Sequence, residues 1–395
     1  MRLLWASNYP DAPTGYGGQT SQVVRRLRDA GHEVAVAANF GVQGREDDWE
    51  GVPVYPPSYD AYGNDVLPSH FADWAKDKPA YLFTLFDVWP YVRERFANLP
   101  VVSWVPIDHF PVPPNVAAWC GEHRTIAMSR YGEDQLRLQN IPSTYIPHAI
   151  ERSVFYPRDR EAEREERGWS DKFVVLINAA NKGNNPIRKA WSEMFGALRV
   201  FLSRHDDAIA FVNSEIVGFQ SPDLGLLATL WGLTPDRVVF TDQYQYKAFR
   251  QTPDWLARTY SAADVLLSTS MGEGFGIPVI EAQACGIPVI VTNFSAQPEL
   301  VGGGWTVRSQ LTYDVGQHAF MAVPDIGDIV ARLELAYEAR GDQTIRQQAL
   351  DKAAEYDADT VWTESWVPYL AQLEDDLKPR IKRQERRRKA KRRAA

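Results

Sequence analysis

The sequence predicts an α/β protein built on parallel strands and divided into more than one domain. Three observations carry this. Residues 2–38 and 264–292 each read as strand, loop, helix, strand, the unit that lays two parallel strands side by side. The strand stretches are short apolar runs bounded by polar residues, as strands covered on both faces are. At 395 residues with 45% hydrophobic side chains, the chain has a globular composition and the length of two or three domains.

From the N-terminus, residues 2–6 form a first strand and residues 8–18 a loop rich in Pro and Gly. Residues 20–30 form a helix that buries Val23, Val24 and Leu27 and stops at Gly31; residues 34–38 are the second strand. Gly15-Tyr16-Gly17-Gly18 raises a dinucleotide site. The third glycine of that fingerprint would fall on Thr20, and the second strand ends in Asn39 instead of an acid for a ribose. Gly17 and Gly18 are therefore read as admitting a substrate phosphate or sugar, in preference to a nicotinamide cofactor. Residues 80–86, 101–105 and 124–128 are further buried strands. The chain leaves the second of these through Asp108-His109 and a Pro-rich loop, a place for a ligand at the carboxyl edge of a sheet, although a lone histidine there also serves structurally.

Residues 158–167 are strongly charged and read as an exposed linker or helix. A second domain begins at Phe173, with a strand over 174–178, a basic loop from Asn181 to Lys189 and an amphipathic helix over 190–202. Strands over 208–213 and 238–240 follow, then a helix over 255–263. The strand over 264–269 leads into Met271-Gly272-Glu273-Gly274-Phe275-Gly276, and Pro278 sits in the first turn of a helix that Gly286 and Pro288 end. Gly274 and Gly276 let backbone N–H groups approach a ligand, and the helix end behind them favours negative charge. Glu273 and Glu281 flank that turn. A carboxylate repels phosphate, so their fitting partners are neutral diols: a sugar ring for Glu273 and a ribose for Glu281. Residues 329–337 and 345–355 are helices. Asp357-Ala358-Asp359 has metal-binding spacing but reads as a helix-capping turn.

The two glutamates, with seven residues between them and Gly-Phe-Gly after the first, resemble the signature of glycosyltransferase family 4. The text that follows, Ala284-Cys285-Gly286-Ile287-Pro288-Val289 and Gln297-Pro298-Glu299-Leu300, continues the likeness, as does the stretch from Gly17-Gly18 through residues 27–36. The resemblance runs through residue 373. It implies a GT-B fold: an acceptor domain over 1–157, a nucleotide-sugar domain over 158–355, and helices over 356–377 that cross back to the first domain. It also implies transfer of a sugar from a nucleotide diphosphate with retention of configuration. UDP-glucose is the first donor by family frequency and GDP-mannose the second.

By the same resemblance, Glu273 orients the donor sugar, Glu281 the ribose, and either Asp108 or His109 the far side of the ring. Lys189 matches a diphosphate lysine. The family's diphosphate arginine falls on Asn181 or Lys182, neither an arginine, and Lys182 offers a point charge in its place. Arg188 adds to the same charge, and Glu299 stands near the nucleotide or sugar. Ala149 replaces the usual glycine of the interdomain link, and His148 beside it reads as structural. These basic groups and amides neutralise the diphosphate, so no divalent metal and no resident cofactor is expected.

The net charge of −8 hides an asymmetry. Residues 378–395 hold eleven Lys or Arg and one acid; the rest of the chain holds 32 basic and 50 acidic residues. That tail lies beyond the resemblance and predicts a polyanionic acceptor such as DNA, through a hydroxylated base, with protein or glycan acceptors as alternatives. Cys120 and Cys285 stand alone, without disulfide or metal spacing, and no apolar run reaches membrane-spanning length, which together predict a cytoplasmic protein. A non-catalytic binding module on the same fold is the remaining alternative, and the intact acids at 273 and 281 speak against it.

Overall fold

The computed structural model describes residues 1–41, 47–57, 59–76, 78–183, 187–218 and 220–378. Two sheets organise them. The first contains β1 (Arg2–Ser7), β2 (Glu33–Ala38), β3 (Asp47–Trp49), β4 (Val52–Tyr55), β5 (Ala80–Leu85), β6 (Val101–Val105), β7 (Arg124–Ala127) and β8 (Thr144–Tyr145), in the order β3-β4-β2-β1-β5-β6-β7-β8. All pairs are parallel except β3 with β4. The second contains β9 (Phe173–Asn178), β10 (Ala208–Asn213), β11 (Val238–Phe240), β12 (Val265–Ser268), β13 (Val289–Thr292) and β14 (Gly304–Val307), ordered β11-β10-β9-β12-β13-β14 and wholly parallel. Every residue of β5 and β6 is buried, which is why the sequence shows no alternation there. The direction of strand addition reverses between β1 and β5 and between β9 and β12, so each sheet opens a crevice at the carboxyl ends of those strands. This is the GT-B architecture, as the resemblance implied.

Three local outcomes differ from the sequence expectation. The first helix, Gly15–Asp29, starts inside the glycine stretch, because Thr14 caps it by accepting the Gly17 N–H at 2.9 Å. The charged stretch forms the helix Arg160–Arg167 and is not simply exposed: Glu163 and Arg164 are buried, and Arg160 and Arg164 hold Asp264 at 2.6 and 3.1 Å. Between β14 and the helix Ile326–Glu338 lies an unforeseen antiparallel hairpin, β15 (Ser309–Asp314) and β16 (Ala319–Pro324). It reaches the first sheet's side, where Phe110 and Phe320 exchange backbone hydrogen bonds of 2.9 and 2.7 Å.

The chain then returns. Ile150 pairs with Asp357, and Trp366 packs into the first domain against Trp104 and Trp5, with ring centroids 5.0 and 6.0 Å apart. The Asp357 carboxylate caps the next helix and Asp359 pairs with Arg26 at 2.7 Å, so both acids are spent on structure. Among the described residues no helix is long and apolar enough to cross a membrane, and Cys120 and Cys285 are buried free thiols.

Candidate active site

The two crevices face each other. A Cβ on Gly15, at the start of the first helix, would lie 3.1 Å from Ile277 Cδ1, at the start of the helix Ile277–Ala284. A Cβ on Gly272 would lie 2.3 Å from the Asp108 carbonyl oxygen, and one on Gly274 2.3 Å from Pro106 Cβ. Those two glycines therefore let the domains approach, whereas Gly274 was expected to make room for a ligand. Gly276 is different: at φ +117° it adopts a left-handed conformation that only glycine takes freely, and it turns the chain into the helix.

The loop before the helix Trp191–Leu202 delivers two cations to one carboxylate. Arg188 Nη1 lies 2.9 Å from Glu273 Oε2 and Lys189 Nζ 2.5 Å from Oε1. Arg188 also donates to the Gly272 carbonyl at 2.6 Å, and the Glu273 N–H is held by Ser295 Oγ at 2.9 Å. Burial alone would raise the Glu273 carboxyl; Arg188 and Lys189 override it and hold the group far below the usual carboxylate range. Lys189 is pushed down, by burial first and then by the like charge of Arg188, against the pull of Glu273. The two cations thus share the Glu273 carboxylate, and the Asp108 charge acts on both as well. Ala190, which follows, has φ +50° and ends the loop in a strained turn that a non-glycine residue rarely adopts.

Across from this cluster, His109 Nδ1 is 2.6 Å from Asp108 Oδ1, and its Nε2 is 3.2 Å from Asp314 Oδ2 at the tip of the hairpin. Burial would lower the imidazole, but the two carboxylates raise it, and His109 in turn lowers Asp108. Both neighbours that the resemblance offered are therefore at the cleft, joined as one ion pair. Tyr131 donates to the His109 carbonyl at 2.9 Å.

At the second crevice, Glu281 Oε2 accepts from Tyr260 at 2.9 Å; Tyr260 accepts from Asn178 at 2.7 Å, and Asn178 from Asn213 at 3.0 Å. Asn178 and Asn213 end β9 and β10, so the chain of polar groups runs along the carboxyl edge of the sheet. Burial pushes Glu281 up to about 7. Glu273 and Glu281 are thus near neighbours in sequence with opposite electrostatic settings, one fully ionised and one poised.

Other sequence candidates have different partners. The Gly17 and Gly18 N–H groups bond to Thr14, and a Cβ on Gly17 would sit 2.1 Å from the Ala12 carbonyl oxygen, so the helix uses them. The first two helical N–H groups, which lack helical acceptors, belong instead to Gly15 and Tyr16. Phe275 is buried against His148 and Tyr356, at 5.3 and 5.5 Å. Lys182 is exposed, and Asn181 is buried, donating to the Ile216 and Pro222 carbonyls; the cation beside Lys189 is Arg188. Glu299 accepts the Arg130 and Tyr131 N–H groups at 2.9 Å each, capping the helix Arg130–Leu138 across the domain boundary. Sequence reasoning missed Asp87, just past β5. Burial, then Asp108, push it up to about 6, and its charge also raises Tyr16. The signal was available: an acid following a wholly apolar strand.

Residues 197–323 match the family described as glycosyl transferases group 1. Over 259 residues the chain is 29% identical to D-inositol 3-phosphate glycosyltransferase of Segniliparus rotundus, which takes in 62% of this chain and 54% of that protein. It is 27% identical over 169 residues to the lipopolysaccharide core biosynthesis mannosyltransferase LpsB of Rhizobium meliloti, 42% of this chain and 44% of that one. The chain thus spans about half the length of these curated relatives. Among solved structures, sucrose-phosphate synthase of Thermosynechococcus elongatus superposes with a TM-score of 0.72 at 16% identity, covering 95% of this chain and 100% of that one. HepE of Anabaena, in complex with UDP and glucose, superposes with a TM-score of 0.67 at 15% identity, covering 94% and 100%. The two facing parallel sheets are the GT-B fold that these solved structures share, and the matched segment and the relatives' names fit the family 4 likeness of the paired-glutamate loop.

Proposed function

We propose that the protein transfers glucose from UDP-glucose to a hydroxyl acceptor with retention of configuration, without a divalent metal. GDP-mannose is the second donor. The observation that carries this reading is the Arg188–Lys189 pair shared on Glu273, facing Asp108 and His109 across the cleft. The bond from the sugar C1 to the diphosphate oxygen breaks, the bond from C1 to the acceptor oxygen forms on the same face, and the acceptor's proton passes to the departing phosphate oxygen. Arg188, Lys189 and the N-terminus of the helix Ile277–Ala284 would carry the charge developing on the diphosphate. Glu273 would accept from sugar hydroxyls and Glu281 from the ribose. Asp108 or His109 would hold the far side of the ring, and Lys182, standing outside the cluster, would at most add long-range charge. The HepE complex with UDP and glucose supports the donor choice by fold alone.

For the acceptor, the basic stretch 378–395 supports DNA on charge alone; residues 379–395 lie outside the described residues. A protein or glycan acceptor is the second reading, and the lipopolysaccharide core mannosyltransferase among the relatives supports the glycan. A cytoplasmic setting goes with the two free thiols. Donor hydrolysis across a panel of nucleotide sugars, with and without excess chelator, tests the reading. Hydrolysis of UDP-glucose that survives chelation is the expected result. Release from no donor, or only with added magnesium or manganese, would overturn the donor or the metal assignment.

A further inference from the structure

The crevice between β1 and β5 has a composition of its own. Tyr16 packs edge-on to Phe86 at 5.8 Å, and Tyr62 lies 6.5 Å from Phe86 and 6.1 Å from Trp89. Trp89 is 44% exposed. Asp87 follows Phe86, just past β5, and its charge acts on both Tyr16 and Tyr62. Among the described residues no cation lies within ion-pair distance of it. The nearest charges that act on it are those of Asp108, Arg188 and His109, and Arg188 is already engaged by Glu273. Burial first, then the charges of Asp87 and Asp108, raise Tyr16, against a smaller opposing pull from Arg188. The acceptor side of the cleft is thus aromatic and acidic, and the cations lie on the opposite loop.

Such a wall discriminates by charge. A phosphate placed against it would meet the Asp87 and Asp108 carboxylates, and the Arg188 guanidinium that acts on both is already engaged by Glu273. A saccharide suits it: its apolar ring face lies on an aromatic ring, and its hydroxyls donate to a carboxylate that only accepts. A flipped nucleobase would also stack, but it brings flanking phosphates to the same acidic rim.

We propose that Tyr16, Tyr62, Phe86 and Trp89, with Asp87 as hydrogen-bond acceptor, form a subsite for a neutral saccharide acceptor, from which phosphorylated acceptors are excluded. The proposal rests on the transferase reading above but is tested without it, by binding. Calorimetric titration of the full chain with maltose, glucose phosphate and a single-stranded oligonucleotide containing hydroxymethylcytosine, in the absence of donor, separates the candidate acceptors. Maltose should bind at least about ten-fold tighter than glucose phosphate, since one unscreened like charge at close range is worth roughly that much. Trp89→Ala should weaken maltose by about ten-fold, the scale of one lost stacking contact. The isosteric Asp87→Asn should narrow the gap between maltose and glucose phosphate. Tighter binding of glucose phosphate or of the oligonucleotide, no binding of maltose, or affinities unmoved by both variants would each overturn the subsite. Donor hydrolysis measured separately shows whether the transferase reading stands.

Discussion

Lys189 Nζ lies 2.5 Å from Glu273 Oε1, and the next residue back in sequence occupies the other oxygen. One carboxylate thus fixes the aim of two cations on a strained loop, and the cations keep it ionised. Glu273 therefore orients in two ways, toward the sugar as an acceptor and toward the diphosphate through its neighbours. Glu273→Gln should lower turnover by about 10²-fold or more, on the scale of one lost preorganised contact in a transition state. It should leave the affinity for the bare nucleoside diphosphate unchanged or tighter, because Arg188 and Lys189 lose their competitor. Calorimetry with UDP beside steady-state kinetics separates the two. A large loss of UDP affinity would place Glu273 on the nucleotide.

Glu281 predicts a pH dependence of opposite sign to that of an ordinary ion-paired acid. Its folded value of about 7 lies above the ordinary 4.5, so the fold favours the neutral acid. As pH rises from 4.5 through 7, the unfolded chain releases this proton first and stability declines. Glu281→Gln should therefore raise the melting temperature at pH above 7 and change it little at pH below 4.5. Ribose hydroxyls donating to the ionised form should bind better as pH rises through 7 and should release a proton. UDP titrations in buffers of different ionisation enthalpy read that proton directly. A UDP affinity independent of pH in the wild-type protein would remove Glu281 from the ribose.

Much of this was legible in the residues. The strands of both sheets' centres showed as apolar runs because helices cover both faces, and Gly276 with Pro278 marked the helix start that aims Glu273 and Glu281. What was not legible depends on contacts between segments far apart in sequence. Glu299 looks like a ligand group until Arg130 and Tyr131 are brought to it from the other domain. Gly274 looks like ligand clearance until Pro106 is seen against it. The hairpin of β15 and β16 reads polar-apolar over 309–314 but carries no tight turn signal, and Asp314 gains meaning only opposite His109.

That opposition is testable. His109 sits above its ordinary value of 6.5, because Asp108 and Asp314 outweigh burial. Its contribution to stability is fully present below 6.5 and is lost as pH rises through the higher folded value. Asp314→Asn should lower the His109 titration midpoint and shrink that pH-dependent loss. Histidine chemical shifts followed by NMR give the midpoint. If it does not move, Asp108 alone sets the charge, and the hairpin is held by the Phe110–Phe320 backbone bonds.

Gly274→Ala should be costly out of proportion to one methyl group. Its Cβ would fall 2.3 Å from Pro106 Cβ and 2.6 Å from Pro106 Cα, part of a backbone held by β6. Either the domains separate or the loop shifts, at a cost on the order of 1–3 kcal/mol for overpacking. Thermal unfolding should show the loss, and small-angle scattering should show a wider cleft. A variant with unchanged melting and scattering profiles would mean that the two loops part without penalty.

The basic stretch 378–395 puts the two acceptor readings in competition. Eleven Lys or Arg against one acid give it a strong field, while the remainder of the chain is acidic. A tether of that kind binds polyanions by releasing their counterions, so its affinity falls steeply with salt whatever the sequence bound. Deleting residues 379–395 should abolish salt-dependent binding to DNA. If DNA is the acceptor, transfer to hydroxymethylated DNA should fall with it at low salt and converge with the full chain at high salt. If the acceptor is a neutral saccharide held by Trp89 and Asp87, transfer to maltose should be the same with and without the stretch at every salt concentration. The two acceptors measured side by side on the full and shortened chains decide between a stretch that selects the acceptor and one that only holds the protein near a polyanion.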